Sequence, residues 1–116
     1  MKDRPLKNTA ASVRQRLLNL ARERGDDFNL LLSRYVHERL LYRLERLPEA
    51  DRFIVKGATL FALWSAMPHR ATRDVDLLGY GTPDISRLEV VFRGLCSVVV
   101  ERDDGVMFDA SSVRAQ

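Results

Sequence analysis

Residues 72–81 read TRDVDLLGYG and place two aspartates, Asp74 and Asp76, one residue apart in a run that is otherwise typical of a buried strand. A carboxylate in a sheet interior is costly unless it is paired or bound to metal. Because side chains alternate across a strand, both carboxylates are expected on one face, with Cα atoms about 6.6 Å apart. Their repulsion raises both pKa values, and a divalent cation removes that conflict. The pattern therefore indicates a Mg²⁺ or Mn²⁺ site, although a solvated polar face at a sheet edge also satisfies it.

A second chemical feature lies upstream, where residues 53–59 read FIVKGAT, a strand followed by a glycine turn and a helix start. Gly57 lets the backbone approach a ligand closely, and the free N–H groups of a following helix favour an anion. Thr59 adds a hydroxyl and Lys56 a point charge for phosphate. An ordinary strand-to-helix turn gives the same pattern. The phosphate cradle followed by the two aspartates is more specific than either part.

The remaining pattern predicts an α+β domain in which helices cover a mixed sheet. The predicted elements in chain order are helices over 9–24 and 28–47, a strand over 53–55, a helix over 59–67, a strand over 73–78, a helix opening at Thr82-Pro83, and hairpin strands over 98–101 and 106–108. We interpret residues 1–116 as one domain, with a helical segment over 1–48 and a sheet-containing core over 49–116.

Capping residues set the predicted bounds of the first two helices. Asn8 or Thr9 can cap the first, and Gly25 suits its end. Asp27 can cap the second, and Pro48 ends it.

The second predicted helix has an apolar face and a polar face. Its apolar stripe runs from Phe28 to Leu44, and Arg39 and Arg43 are expected on the polar side. Arginines of the first two helices either touch RNA or form a solvated face. Farther along, Asp-Gly between apolar runs is typical of a hairpin, which makes Asp104 a turn residue and Asp109 the end of a strand.

Composition excludes several classes of protein. The 116 residues are 46% apolar and 30% charged with a net charge of +3, as in an ordinary soluble domain. No apolar run approaches the roughly 20 residues that span a bilayer, and the N-terminus has no signal-peptide core. The single cysteine, Cys96, excludes an internal disulfide and is expected to be a small buried side chain. These features predict a cytoplasmic protein with no membrane partner.

The two motifs carry a family resemblance. The arrangement FIVKGATLFALW followed by RATRDVDLLGYG resembles the nucleotidyltransferase fold of the DNA polymerase β-like superfamily. More closely, it resembles the AbiEii/AbiGii-type toxin family, bacterial nucleotidyltransferase-like proteins of abortive-infection and toxin–antitoxin modules. The likeness extends to NTAASVRQRLLNLARERG near the start and DDGVMFDASSVRA near the end.

The resemblance implies an activity and a set of site residues. Family members transfer a nucleotidyl group from a nucleoside triphosphate to a hydroxyl of RNA, such as tRNA, or of protein, and a cognate antitoxin is a further implied partner. Asp74 and Asp76 would bind the divalent ions. The residues implied near the triphosphate are Lys56, Gly57, Thr59 and Arg73.

Two departures from the superfamily pattern keep alternatives open. Ala58 stands where a second small residue, Gly or Ser, is frequent, and the superfamily's third carboxylate is expected beyond the hairpin, in sequence that this chain does not contain. Asp104 and Asp109 are the late acidic candidates. The chain is therefore expected to be a truncated N-terminal portion. The alternatives are an inactive remnant that binds nucleotide, RNA or protein, and a homo-oligomer formed through the apolar stripe of the second helix.

Overall fold

Three helices and a small antiparallel sheet make up the computed structural model, which describes residues 8–55, 75, 77–81 and 84–115. The elements in chain order are α1 (Thr9–Arg24), α2 (Phe28–Glu45), a 3₁₀ turn (Ala50–Arg52), β1 (Phe53–Val55), β2 (Leu77–Gly79), α3 (Ile85–Cys96) and a second 3₁₀ turn (Ala110–Ser112). The predicted α+β class is confirmed. The predicted helix over 59–67 lies outside the described residues.

Local capping residues position α1 and α2 as predicted. The Asn8 side chain accepts a hydrogen bond from the Ala11 amide at 3.0 Å, and Gly25 ends α1 in the left-handed region at φ 69°. Asp27 caps α2 by accepting from the Asn29 amide at 2.8 Å. The second helix ends at Glu45, two residues before the predicted bound.

Strands β1 and β2 form an antiparallel ladder with the register Phe53↔Gly79, Ile54↔Leu78 and Val55↔Leu77. The β1 prediction is confirmed. The sequence predicts the second strand over 73–78, but Val75 lies outside it, and the strand observed among the described residues runs through Gly79.

Helix α3 begins later than the sequence predicts. It starts at Ile85, where Asp84 provides the cap: the Asp84 carboxylate accepts from the Ser86 amide at 2.9 Å. The predicted capping pair, Thr82 and Pro83, lies outside the described residues. The ring of Phe92 on α3 meets that of Phe53 edge to face, with centroids 5.8 Å apart, which fixes the sheet against this helix.

The core lies where α2 contacts both α1 and α3. Among the residues that the structure describes, its buried apolar side chains are Ala21, Leu31, Leu44, Val91 and Leu95. Leu31 and Leu44 belong to the predicted apolar stripe of α2, so this helix uses its stripe inside the chain.

The hairpin predicted over 98–101 and 106–108 is wrong. Residues 98–109 contain no strand and follow an irregular path to the second 3₁₀ turn. The cause is a tertiary ion pair at Asp104, described below. None of the helices in the described part of the chain combines the length and apolar character that a membrane crossing requires.

Candidate functional site

The six residues that the sequence assigns to nucleotide and metal binding lie outside the described residues. They are Lys56, Gly57, Thr59, Arg73, Asp74 and Asp76. In sequence, Lys56 follows Val55, and Asp76 precedes Leu77. Val55 and Leu77 are partners in the ladder. Both motifs therefore adjoin the same end of the β1–β2 ladder. That much of the expected arrangement follows from register and chain connectivity.

A buried ion-pair cluster dominates the described polar groups. The Asp104 carboxylate accepts from Arg43 Nη1 at 2.8 Å and from Arg43 Nη2 at 3.1 Å, which is a two-point pair. Arg39 Nε donates to the same carboxylate at 2.7 Å, and the Val106 amide donates at 3.1 Å. We call Arg39, Arg43 and Asp104 the arginine–aspartate cluster. Four donors on two oxygens leave Asp104 fully satisfied.

Burial and hydrogen bonding together set the pKa of Asp104 in the cluster. Asp104 is 8% exposed and Arg43 4% exposed. Burial by itself raises the pKa of Asp104, but the hydrogen bonds from Arg43, Arg39 and the Val106 amide outweigh it and hold that pKa far below its ordinary range. The carboxylate therefore stays charged at all physiological pH values.

The cluster and the neighbouring Gly105 hold an irregular loop against the helices α2 and α1. The Tyr35 hydroxyl donates to the Asp104 carbonyl at 2.6 Å, and Arg43 Nη2 donates to the Val106 carbonyl at 3.0 Å. Next along the loop, Gly105 has φ 76°, and a Cβ there would lie 2.9 Å from the Ala10 Cα on α1. We call residues 102–108 the docking loop, because Asp104 holds it to α2 and Gly105 brings it against α1.

The sequence prediction missed this cluster. It places Arg43 on the solvated side of α2 and Asp104 in a hairpin turn, and both are buried instead. The available signal is the i, i+4 spacing of Arg39 and Arg43, which stacks two guanidinium groups on one helical face. Nothing local shows that their partner is an aspartate 61 residues after Arg43.

The late acidic candidates already have other partners. Asp104 faces two arginines, which would repel a cation. Asp109 caps the second 3₁₀ turn, where its carboxylate accepts from the Ser111 amide at 2.9 Å and the Ser111 hydroxyl at 2.7 Å. It is therefore not the end of a strand. No three acidic, His or Cys side chains come together as a metal site anywhere in the described ranges.

A cleft of about 420 Å³ opens between α1, α2 and the docking loop. We call it the α1–α2 cleft. Val13, Leu17 and Leu20 of α1 form its apolar side, and its polar lining comes from Arg16, Tyr35, Arg39, Arg102, Asp103 and Asp104.

Comparison with known proteins decides the family. Residues 39–116, about two thirds of the chain, match the family model described as the nucleotidyl transferase AbiEii toxin of type IV toxin–antitoxin systems. The chain belongs to the AbiEii nucleotidyl transferase toxin family. No curated protein and no solved structure gives a significant match.

The AbiEii match includes both predicted motifs and the arginine–aspartate cluster, since all of them lie within residues 39–116. Helix α1 lies outside the match. The α1–α2 cleft thus lies between helix α1, which is outside the AbiEii match, the helix α2, which is partly inside it, and the docking loop, which is wholly inside it.

Proposed function

We propose that this AbiEii family member transfers a nucleotidyl group from a nucleoside triphosphate to a hydroxyl of RNA, such as tRNA, or of a protein, in a Mg²⁺-dependent reaction. The observation that carries the proposal is the family match over residues 39–116, which contains KGAT and DVD together. In this reaction the acceptor oxygen bonds to the α-phosphorus, pyrophosphate leaves, and the hydroxyl proton passes to solvent. We also propose a cytoplasmic location, where these substrates are found, and a cognate antitoxin as partner.

The proposed metal ligands are Asp74 and Asp76. Two carboxylates are a donor set that suits Mg²⁺ or Mn²⁺, which prefer oxygen ligands and share their sites with phosphates. When bound, the ion supplies positive charge that offsets the phosphate oxygens. The chemistry of the two side chains, and their position beside β2 in the sequence, support this assignment.

The proposed phosphate contacts come from the segment after β1. Lys56 and Arg73 neutralise phosphate charge, Gly57 permits close approach of the backbone, and Thr59 offers a hydroxyl. The register of β1 and β2 supports this assignment, because it brings both segments to the same end of one ladder.

A second candidate function is nucleotide binding without transfer. It is favoured because Asp104 and Asp109, the late carboxylates that are candidates for a third metal ligand, already accept hydrogen bonds from other groups. Two arginines and a backbone amide bind the first, and Ser111 binds the second.

One calorimetric experiment tests the shared part of both functions. The four nucleoside triphosphates are titrated into the native chain with Mg²⁺ and with excess chelator. Binding is expected only with Mg²⁺ and is expected to fall at least 10-fold in Asp74→Asn and Asp76→Asn. The matched control is Asp51→Asn, which removes an exposed carboxylate from the turn before β1. Equal affinity in all variants would refute the assignment of the metal ligands.

A transfer assay separates the two functions. The chain is incubated with α-³²P-labelled nucleotides, Mg²⁺ and either total RNA or total protein. Label that enters one acceptor with wild type and Asp51→Asn, but not with Asp76→Asn, supports transferase activity. Mg²⁺-dependent binding without any labelled acceptor supports the binding module.

A further inference from the structure

The α1–α2 cleft has an uninterrupted apolar side. Val13, Leu17 and Leu20 follow the i, i+4, i+7 spacing and therefore share one face of α1. They cover about 10 Å along the helix axis, which is two turns. Leu20 is 37% exposed, an open position for a large aliphatic side chain. This surface can take two or three aliphatic side chains of another molecule.

Positive charge surrounds this apolar side. Arg16 and Arg102 are exposed at the cleft, and Arg39 lines its wall. The Arg16 guanidinium donates a hydrogen bond to a neutral group, the Ser12 hydroxyl, at 3.3 Å. Two acidic side chains also line the cleft: Asp104, which is neutralised by its arginine partners, and the exposed Asp103, whose carboxylate accepts from the Gly105 amide at 2.9 Å. The cleft is therefore apolar at one side, and its edge carries a net positive charge, because the two arginines Arg16 and Arg102 face a single unneutralised carboxylate, Asp103.

We propose that the α1–α2 cleft binds an acidic amphipathic segment of a partner protein. The segment would place aliphatic side chains on Val13, Leu17 and Leu20 and carboxylates beside Arg16 and Arg102. This is recognition of an amphipathic helix in a groove, with charge complementarity setting its orientation. The inference does not depend on the proposed transferase activity.

Two other occupants fit less well. Proteins bind single-stranded RNA largely by stacking its bases on aromatic rings. The lining of this cleft offers aliphatic side chains and one tyrosine, Tyr35, whose hydroxyl donates a hydrogen bond to the Asp104 carbonyl. Residues 1–7 of the same chain read MKDRPLK, with three basic residues and one acidic residue, so the cationic edge would repel them.

A peptide selection tests the proposal before any partner has been identified. A displayed library of random 16-residue peptides is selected on the native chain and counter-selected on the Arg16→Glu/Leu20→Asp variant. Enriched peptides are expected to carry net negative charge and aliphatic residues at helical spacing. Enrichment of basic peptides, or no enrichment above the input library, would overturn the proposal.

The winning peptide is then measured by fluorescence anisotropy against single variants. Arg16→Glu, Arg102→Glu and Leu20→Asp are each expected to weaken binding at least 10-fold. Arg22→Glu is the matched control, since it reverses an exposed charge on the same helix away from the cleft, and is expected to change affinity less than 2-fold. Equal losses in all four variants would mean unspecific charge attraction and would contradict the assigned cleft.

A fluorescent 20-nucleotide RNA is titrated in parallel. Weak binding that is insensitive to Leu20→Asp is expected. Tight RNA binding that is lost in Leu20→Asp and competes with the peptide would assign the cleft to nucleic acid instead. Circular dichroism of each variant confirms that the helices remain formed.

Discussion

Arg43 and Asp104 form a two-point ion pair, with hydrogen bonds of 2.8 and 3.1 Å, between the middle helix and a loop 61 residues later. The same guanidinium donates to the carbonyls of Arg39 and Val106, and its Cζ lies 5.1 Å from the centre of the Phe108 ring. Arg43 thus satisfies the charge of Asp104 and covers an aromatic ring of the docking loop. Together with Tyr35 and Arg39, which also donate to Asp104, this side chain attaches the docking loop to α2.

Removing Asp104 is expected to leave Arg43 as an unpaired buried charge, and removing Arg43 to leave the buried Asp104 carboxylate with one arginine instead of two. Asp104→Leu and Arg43→Met should each lower the free energy of unfolding by about 3–5 kcal/mol, measured by urea denaturation. The double variant should lose clearly less than the sum of the two single losses, because neither charge is then stranded. Asp109→Asn, at an exposed carboxylate, is the control. Additive losses in the double variant would contradict the ion pair.

Stability is expected to fall in acid because of Asp104. The hydrogen bonds that overcome burial place its folded pKa below the ordinary value of about 3.9 for an unfolded aspartate. Its stabilising contribution is therefore complete above that value and declines as pH falls through it toward the folded pKa. Urea unfolding between pH 3 and 6 should show this decline in wild type and a flatter profile in Asp104→Asn. Parallel profiles for the two proteins would refute the assignment.

Gly105 is expected to tolerate no side chain. Its positive φ disfavours alanine, and a Cβ would meet the Ala10 backbone at 2.9 Å, which a side-chain rotation cannot relieve. Gly105→Ala should lower the free energy of unfolding by about 2 kcal/mol or more.

The comparison variant for that change is Gly94→Ala. Gly94 lies inside α3, where a Cβ would make only an ordinary contact of 4.0 Å with Leu47 Cδ2. Alanine there should raise the free energy of unfolding by about 0.5–1 kcal/mol, because it favours the helix. Equal effects at both positions would show that Gly105 is not held against α1.

Sequence predicted those parts of the fold that local chemistry decides. Asn8 and Asp27 cap α1 and α2 because their side chains reach backbone amides two or three residues away. Phe53–Val55 forms β1 because it is a short β-rich run. The start of α3 was missed by two residues, since both Thr82 and Asp84 are good caps and local sequence does not rank them.

Sequence did not predict the docking loop, because tertiary contacts decide it. The Asp-Gly pair at 104–105 has the composition of a hairpin turn, but Asp104 pairs instead with two arginines of α2, the buried Arg43 and the half-buried Arg39. Gly105 does use its conformational freedom, though to approach α1 rather than to reverse a strand. The metal and phosphate assignments at Asp74, Asp76 and Lys56 stay predictions, supported by the family and by the motif spacing.

The last prediction connects the packing of the sheet to the proposed nucleotide site. Phe92 holds the β1–β2 ladder through its edge-to-face contact with Phe53, and the KGAT and DVD motifs adjoin this ladder in sequence. Phe92→Ala should lower the free energy of unfolding by about 2–3 kcal/mol and also weaken Mg²⁺-nucleotide binding at least 5-fold at temperatures where the chain remains folded. Phe108→Ala removes an equally large, half-buried ring from the docking loop and should cost similar stability while leaving nucleotide affinity within 2-fold. Calorimetry on both variants makes the comparison. Equal affinity losses would mean that global stability, rather than the position of the ladder, controls the site.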